Sequence, residues 1–149
     1  MKILIVTQYY YPEQFQINDI APELVKRGHE VTVLCGVPNY PKGLVFKSYE
    51  TKRERELAEK EYFDKTGVRV LHVEQIPRGN NPVSLLLNYI SFARNSSKAV
   101  AKLDNDFDVV LGYQLSPISS MCAALDYKKR TGTPVLYYTL DIWPVSAEG

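Results

Sequence analysis

Five short apolar segments recur along the chain, and each one is typical of a β-strand. They cover residues 2–7, 30–35, 68–76, 107–113 and 134–139. Their apolar residues follow one another directly instead of alternating with polar ones, which is typical of strands buried on both faces of a parallel sheet. The pattern therefore predicts a buried sheet whose strands are separated by longer segments.

The segment after the first strand predicts a helix. Its apolar residues have helical spacing and share one face, and they are Ile17, Ile20, Ala21, Leu24 and Val25. Gly28 suits the position just past the end of this helix. Pro22 fits only near the first turn, so we expect Asn18 or Asp19 to cap the helix.

A longer helix is predicted to begin at Pro82, with Asn81 as its cap, and to run to about Leu103. Its apolar stripe comprises Val83, Leu86, Leu87, Ile90, Ala93 and Ser97. This spacing favours a core helix packed on the sheet. The alternative is a helix that lies against an anionic bilayer, because Arg94 and Lys98 follow its apolar part.

Two further helices complete the pattern. Residues 51–65 are highly charged and predict an exposed helix with a weak apolar stripe. Ser116 is expected to cap the last helix, with Pro117 as its first residue. The predicted stripe of that helix comprises Ile118, Met121, Cys122 and Leu125.

Strands that alternate with helices predict a single α/β domain with a parallel sheet and helices on both faces. The chain has 149 residues, which is enough for one domain with a substantial core. We expect the strand order 3-2-1-4-5, as in half of a doubly wound, Rossmann-like fold.

Composition narrows the function. The net charge of +1 gives no sign of nucleic-acid binding. Cys35 and Cys122 are far apart and lack metal-ligand spacing, so we expect buried, reduced thiols of a cytosolic protein. The N-terminal apolar run is too short for a signal peptide, and no segment is long enough to span a membrane.

The unusual residues gather in the loops that follow the strands. In a doubly wound sheet, ligands bind beyond the carboxyl ends of the strands where the strand order reverses, here between the first and fourth strands. These loops are rich in aromatic and amide side chains, which suit sugars because rings stack on sugar faces and amides bond to hydroxyls. Glycine-rich dinucleotide and phosphate motifs and the GxSxG motif do not occur. His29 and His72 fall where a structural role is expected.

Four segments resemble a known family. "PEQFQIND", "GVPNYPKG", "IPRGNN" and "LDIWP" are similar, in this order, to the N-terminal half of bacterial retaining glycosyltransferases of family 4. The most similar branch builds capsule and O-antigen polysaccharides. The resemblance implies a GT-B fold, in which one Rossmann-like domain binds the acceptor and a second binds a nucleotide-sugar. It also implies that residues 1–149 are the acceptor-side domain, that the donor-binding domain is absent from this chain, and that the chain alone has little activity.

The resemblance also suggests residue roles. Asp141 would be the catalytic residue that contacts the reacting sugar, although a helix N-cap is an equal alternative for it. Many relatives carry a Gly-Gly pair near the donor diphosphate, whereas this chain has Gln14, Phe15 and Gln16 there. Lys42 and Arg78 would neutralise a lipid-linked pyrophosphate, with a solvated charge as the alternative for each. Together, the expected substrate-binding residues are Gln14, Phe15, Gln16, Asn18, Asn39, Tyr40, Lys42, Arg78, Tyr113, Ser116 and Trp143.

The expected partners follow from the same resemblance. They are a nucleotide-sugar donor and a glycan or polyprenyl-linked acceptor, with no metal, cofactor or nucleic acid. The expected location is the cytoplasm, with peripheral contact at the inner face of the membrane. Two alternatives remain open, namely a non-catalytic glycan-lipid-binding or partner subunit of a split transferase, and a self-contained nucleotide-binding module.

Overall fold

The computed structural model describes residues 1–115 and 117–140, which form a five-stranded sheet between two layers of helices. A short 3₁₀ helix at Lys47–Tyr49 precedes the second α-helix, and another at Ile118–Met121 precedes the fourth. In chain order, the strands and α-helices are β1 (Lys2–Val6), α1 (Ile17–Lys26), β2 (Glu30–Gly36), α2 (Lys52–Thr66), β3 (Arg69–Val73), α3 (Pro82–Val100), β4 (Val109–Gln114), α4 (Cys122–Thr131) and β5 (Val135–Thr139).

All neighbouring strands are parallel, in the order β3-β2-β1-β4-β5. Both the α/β class and the predicted strand order are therefore confirmed. The central strand explains the continuous apolar pattern, because Leu4, Ile5 and Val6 are fully buried between the two helix layers. The strand order reverses at β1, which lies between β2 and β4. The loops that follow these three strands therefore meet at one edge of the sheet.

Each face of the sheet has its own core. On one face, residues of α1 and α2 such as Ile17, Ala21 and Tyr62 pack against β1, β2 and β3. On the other face, Val100 at the end of α3 and Tyr127 of α4 pack against β1, β2 and β4. The two clusters hold the helices against the sheet from opposite sides, as expected for half of a doubly wound fold.

Helix α1 buries the stripe predicted for it. Ile17 and Ala21 are fully buried, and the other members are partly buried against the same core. The prediction of its first residues was wrong, because α1 begins at Ile17 with Gln16 as N-cap and Pro22 lies inside the helix. Among the described residues, the Gln16 side chain makes no capping hydrogen bond.

Helix α2 is the exposed, charged helix that was predicted. Thr51 and Glu54 form a reciprocal capping box at its start, in which each side chain bonds to the other residue's backbone N–H. Gly67 ends the helix with a left-handed φ of 73°, a conformation that glycine adopts at little cost.

Helix α3 begins as predicted but buries a different face. Pro82 is its first residue, and the Asn81 side chain accepts a hydrogen bond from the backbone N–H of Ser84. The expectation that the apolar stripe packs on the sheet was wrong, since its leading members are between 44% and 67% exposed. The fully buried residues of α3 are instead Asn88, Phe92, Ser96 and Val100.

Helix α4 departs from the prediction in the same way. Pro117 precedes a 3₁₀ turn instead of beginning the α-helix, which starts at Cys122. Met121 is buried and Cys122 partly buried, but Ile118 and Leu125 are exposed, so half of the predicted stripe lies in solvent. The residues that pack in the core are instead Ala123, Ala124 and Tyr127, whereas Leu125 lines a shallow groove between α3 and α4.

Two smaller expectations concern thiols and membranes. Cys35 is buried and Cys122 is partly buried, and neither forms a disulfide in the structure. Burial raises the pKa of the Cys35 thiol well above its ordinary value. Within residues 1–115 and 117–140, no helix combines the length and apolar character needed to cross a bilayer.

Candidate functional site

The carboxylate of Glu13 joins two loops at the carboxyl edge of the sheet. Its Oε1 accepts hydrogen bonds from the backbone N–H groups of Asn39 (2.9 Å) and Tyr40 (2.7 Å) in the loop after β2. Its Oε2 accepts a hydrogen bond from the backbone N–H of Tyr10 (3.2 Å) in the loop after β1. The residue is only 3% exposed, so the two loops are fixed to each other from the inside.

This burial also changes how Glu13 titrates. Removal from water raises the pKa of its carboxyl to about 7, and the three backbone hydrogen bonds oppose that rise without cancelling it. Glu13 therefore exchanges its proton near neutral pH, where an ordinary glutamate is fully ionised. The link between the two loops is accordingly sensitive to pH.

Asn39 connects the same loop to the loop after β3. Its Nδ2 donates to the backbone carbonyl of Val37 (2.9 Å), and its Oδ1 accepts from the backbone N–H of Arg78 (2.8 Å). Gly43 permits the close approach of these loops, because its φ is 69° and any side chain there would strike the carbonyl of Arg78. Asn39 thus organises the site from within.

Three aromatic rings form a cluster beside this framework. The ring centres of Tyr9 and Phe15 are 5.6 Å apart, and each lies 5.4 Å from the ring centre of Tyr40. The Arg78 guanidinium carbon lies 5.4 Å from the Tyr40 ring centre, within cation–π range. Tyr40 is exposed and Phe15 half-buried, so the cluster presents an aromatic surface with a positive charge at its margin.

Tyr9 contributes a hydroxyl that stays protonated. Burial raises its pKa to about 12, and the neighbouring Arg78 lowers it only in part. The hydroxyl lies 3.4 Å from Asn88 Oδ1, to which it donates. Tyr9 therefore connects the aromatic cluster to a buried group of amides.

That group consists of Gln8, Gln75 and Asn88. Gln8 Nε2 donates to Gln75 Oε1 (3.1 Å) and to Asn88 Oδ1 (2.8 Å). Gln75 Nε2 donates to the backbone carbonyl of Val37 (2.9 Å), and Asn88 Nδ2 donates to that of Ile76 (2.6 Å). Gln8 Oε1 is buried and has no hydrogen-bond partner among the described residues, so it is free to accept from a hydroxyl or a water.

The structure brings some predicted site residues together. Phe15, Tyr40 and Arg78 meet in the aromatic cluster, and Asn39 supports it. Gln14, Gln16 and Lys42 lie exposed in the surrounding loops. Their roles in binding substrate stay predictions.

Other predicted residues lie elsewhere. Tyr113 is fully buried in the core under α1, with its ring stacked on Tyr138 at 5.4 Å. Asn18 uses its Nδ2 to hold the backbone carbonyl of Glu13 (2.5 Å), while its Oδ1 is buried without a partner among the described residues. Ser116, Asp141 and Trp143 lie outside the described residues, so their predicted roles are untested.

Sequence reasoning missed the residues that hold the site together, namely Glu13, Gln8, Gln75 and Asn88. A lone glutamate in a polar loop gave no signal of burial. Asn88 could have been found, since it interrupts the apolar start of α3 at a position one turn before Phe92. Within the described residues, no group of three histidine, cysteine or acidic side chains is arranged to hold a metal ion.

Comparison with known proteins identifies the family. The profile of the glycosyl transferase 4-like domain matches residues 14–149, which is most of the chain. This chain belongs to the glycosyl transferase 4-like domain family. The match supports a glycosyltransferase of the family 4 type at the level of a domain, and with it sugar donor and acceptor substrates in general. No protein of curated function matches the chain.

Solved structures agree with this glycosyl transferase 4-like domain only in fold. A crystal structure of the C-terminal domain (residues 78–226) of a hydrogenase from Pyrococcus furiosus is 19% identical, with a TM-score of 0.56. The alignment covers 91% of this chain and 89% of that one. A second structure from the same protein, of residues 83–215, is 18% identical with a TM-score of 0.53, over 92% of this chain and 90% of that one.

Proposed function

We propose that this chain is the acceptor-side half of a retaining glycosyltransferase. In this proposal, the enzyme moves a sugar from a nucleotide-sugar donor to a glycan or polyprenyl-linked acceptor during bacterial cell-surface polysaccharide biosynthesis, such as that of capsule or lipopolysaccharide. The observation that carries it is the family match over residues 14–149, which includes Phe15, Asn39, Tyr40 and Arg78 of the candidate site. The partly exposed aromatic cluster beside Arg78 suits a sugar next to an anionic group.

The proposed roles divide between two domains. A second, Rossmann-like domain outside these residues would bind most of the nucleotide-sugar, across a cleft from the carboxyl edge described here. In the sequence, Asp141 comes two residues after the last residue of β5. It is proposed to orient or deprotonate an acceptor hydroxyl. Arg78 and Lys42 would neutralise the pyrophosphate of a lipid-linked acceptor, and Tyr40 would stack on its sugar.

A binding experiment tests the acceptor site. Titration of the isotope-labelled chain with a short-chain polyprenyl pyrophosphate-linked N-acetylglucosamine should shift the amides of Tyr9, Phe15, Tyr40 and Arg78. Tyr40→Ala should weaken that binding about tenfold, which corresponds to the loss of one contact of about 1.4 kcal/mol. Tyr137→Ala removes a similarly exposed tyrosine from the edge strand and should leave the affinity unchanged. Equal loss in both variants, or binding unaffected by either, would argue against this site.

We also propose that the exposed face of α3 contacts the inner face of the cytoplasmic membrane. Leu86, Leu87 and Ile90 lie in solvent on this face, and the exposed Arg94 and Lys98 follow on the same helix. An apolar strip beside positive charge is suited to an anionic bilayer surface, where polyprenyl-linked acceptors reside.

Vesicle co-sedimentation tests the membrane proposal. The chain should bind phosphatidylglycerol vesicles more strongly than phosphatidylcholine vesicles, and Leu87→Glu with Ile90→Glu should reduce that binding. Leu57→Glu on α2 is the matched control, since Leu57 is equally exposed on the other side of the sheet. Indifference to lipid charge, or equal binding by the α3 variant, would contradict the proposal.

A non-catalytic partner subunit of a split transferase is the second candidate. The same exposed apolar face on α3 favours it, because such a face also suits a protein partner. Adding a separately produced donor domain distinguishes one half of a split transferase from a non-catalytic subunit that only binds glycan-lipid. Transferase activity that appears only in the mixture supports a split enzyme, whereas binding of glycan-lipid without activity supports a non-catalytic role.

A further inference from the structure

A hollow apart from the candidate site lies against the loop that follows β1. It has a volume of about 390 Å³, within the range of roughly 300–1,000 Å³ common for small-molecule sites. Its walls come from Tyr11 and Pro12, from the 3₁₀ helix before α2, and from the adjacent face of α2. Among residues 1–115 and 117–140, none of those expected to bind substrate lines it.

The hollow has an aromatic wall that is held in place. The Tyr11 ring stacks on the Tyr62 ring, with centres 4.5 Å apart and planes 29° apart. The Tyr62 hydroxyl in turn shares a hydrogen bond with the Tyr10 hydroxyl, at 3.0 Å. Tyr62 is buried, whereas Tyr11 remains 39% exposed. A fixed, partly exposed ring offers the flat apolar surface on which the C–H face of a sugar ring packs.

Further side chains surround this wall. Tyr49 lines the hollow and is only 4% exposed, and its ring meets the His72 ring edge-on with centres 5.1 Å apart. At the rim, the exposed Lys47, Glu61 and Lys65 form no ion pair with any residue that the structure describes. Their ammonium and carboxylate groups are therefore available to hydroxyls.

The loop after β1 contributes to both this hollow and the candidate site. Tyr9 packs against Phe15 and Tyr40, whereas Tyr11 packs against Tyr62. The two aromatic surfaces are therefore built from residues only two positions apart in the chain. An extended glycan that reached both surfaces would contact two aromatic walls.

We propose that this hollow is a subsite for a sugar residue of the acceptor glycan other than the residue that receives the transferred sugar. The inference rests on the proposed function, since it assigns part of the acceptor to a surface that the family match does not assign. Tyr11 supplies the stacking surface, and Glu61 and Lys65 supply the groups that bond to exocyclic hydroxyls.

The test is an amide-shift titration of the isotope-labelled chain with three neutral probes: maltotriose, cellotriose and chitotriose. At least one should cause saturable shifts of the Tyr11, Phe46 and Ser48 amides. Tyr11→Ala should weaken that binding at least tenfold, and Lys65→Ala, which alters only an exposed side chain, should weaken it about threefold. Tyr137→Ala should not change it. Shifts that do not saturate, or that persist in both Tyr11→Ala and Lys65→Ala, would overturn the proposal.

Tyr40→Ala separates this proposal from the function on which it rests. If Tyr40→Ala abolishes the sugar-induced shifts while Tyr11→Ala does not, the sugar occupies the first cluster and the subsite is refuted, although the acceptor site stands. If the trisaccharide binds at Tyr11 but the polyprenyl-linked probe leaves the first cluster unshifted, the subsite stands and the proposed acceptor site fails. The two failures are therefore distinguishable.

Discussion

Helices α1 and α3 each carry apolar residues at helical spacing, but only the stripe of α1 is buried against the sheet. In α1, the stripe that begins with Ile17 and Ala21 is packed on the core. In α3, the stripe that includes Leu86 and Ile90 lies in solvent. The buried residues are Phe92 and those one turn before and after it, Asn88 and Ser96. Apolar spacing alone therefore does not identify the buried face of a helix that has two candidate faces.

Hydrogen bonding explains why α3 buries its more polar face. Asn88 belongs to the amide group at the carboxyl edge and donates to the backbone carbonyl of Ile76. Ser96 Oγ donates to the carbonyl of Phe92 one turn earlier, at 2.7 Å. Because both buried polar groups have partners, their burial costs little. The apolar face of α3 is then left for another surface, which we propose is the membrane.

The largest expected effect is the difference in the free energy of unfolding between substitutions on the two faces of α3. Phe92→Ala should lower the free energy of unfolding by about 3–5 kcal/mol, because it empties a fully buried site. Ile90→Ala should change it by less than about 0.5 kcal/mol, because that side chain is in solvent. Urea unfolding followed by circular dichroism measures both.

Ile17→Ala in α1 is the reference for a stripe that is buried, with an expected cost of about 2–5 kcal/mol. If Ile90→Ala were as costly as Ile17→Ala, the two helices would present equivalent stripes to the sheet. The comparison between α1 and α3 would then be wrong.

The second prediction concerns the loop that leads into α1. Burial raises the Glu13 pKa from 4.5 to about 7, so between these pH values the folded chain binds more protons than the unfolded chain. The free energy of unfolding should therefore fall as the pH rises through this interval, by about 3 kcal/mol from this group. Glu13→Gln should remove that part of the pH dependence, measured by urea unfolding between pH 5 and pH 8.

Glu50→Gln is the matched control, because Glu50 is an exposed acid near the end of the loop after β2. Its pH profile should follow that of the unmodified chain. A Glu13→Gln profile that also follows the unmodified chain would mean that Glu13 titrates as an ordinary surface acid.

The smallest predicted effect distinguishes how the two helices begin. Asn81 caps α3 through its side chain, so Asn81→Ala should cost about 1 kcal/mol. Gln16 makes no capping bond among the described residues, and Gln16→Ala should leave stability nearly unchanged. Thermal unfolding of both variants provides the measurement, and a larger loss for Gln16→Ala than for Asn81→Ala would reverse the expected order.

Much of the fold could be predicted because it depends on local patterns. Continuous apolar strands that alternate with helices indicated half of a doubly wound fold, whose strand order proved correct, and Pro82 with Asn81 marked the start of α3. The start of α1 could not be placed, because no side-chain cap marks it and Pro22 is tolerated inside the helix. The buried face of α3 depends on tertiary partners of Asn88, which the local pattern does not contain.

The site was predictable in location but not in construction. The position of the loops placed Tyr40, Phe15 and Arg78 at one edge, and the structure brings them together. The role of Glu13 depends on backbone N–H groups in a loop 26 and 27 residues further along the chain. Side chains that bond to backbone groups of a distant loop leave no local pattern of residue types, so this framework appears only in three dimensions.

The most direct test of the central claim, that this chain is the acceptor-side half of a glycosyltransferase, is a titration with the donor. The isotope-labelled chain would be titrated with UDP, UDP-N-acetylglucosamine and GDP while the backbone amide shifts are followed. The account predicts no shifts at millimolar nucleotide, or a few near Gln14 and at the carboxyl edge of the sheet, because most of the donor site lies in another domain. Micromolar binding with a contiguous footprint would contradict it and would make this domain a nucleotide site in its own right.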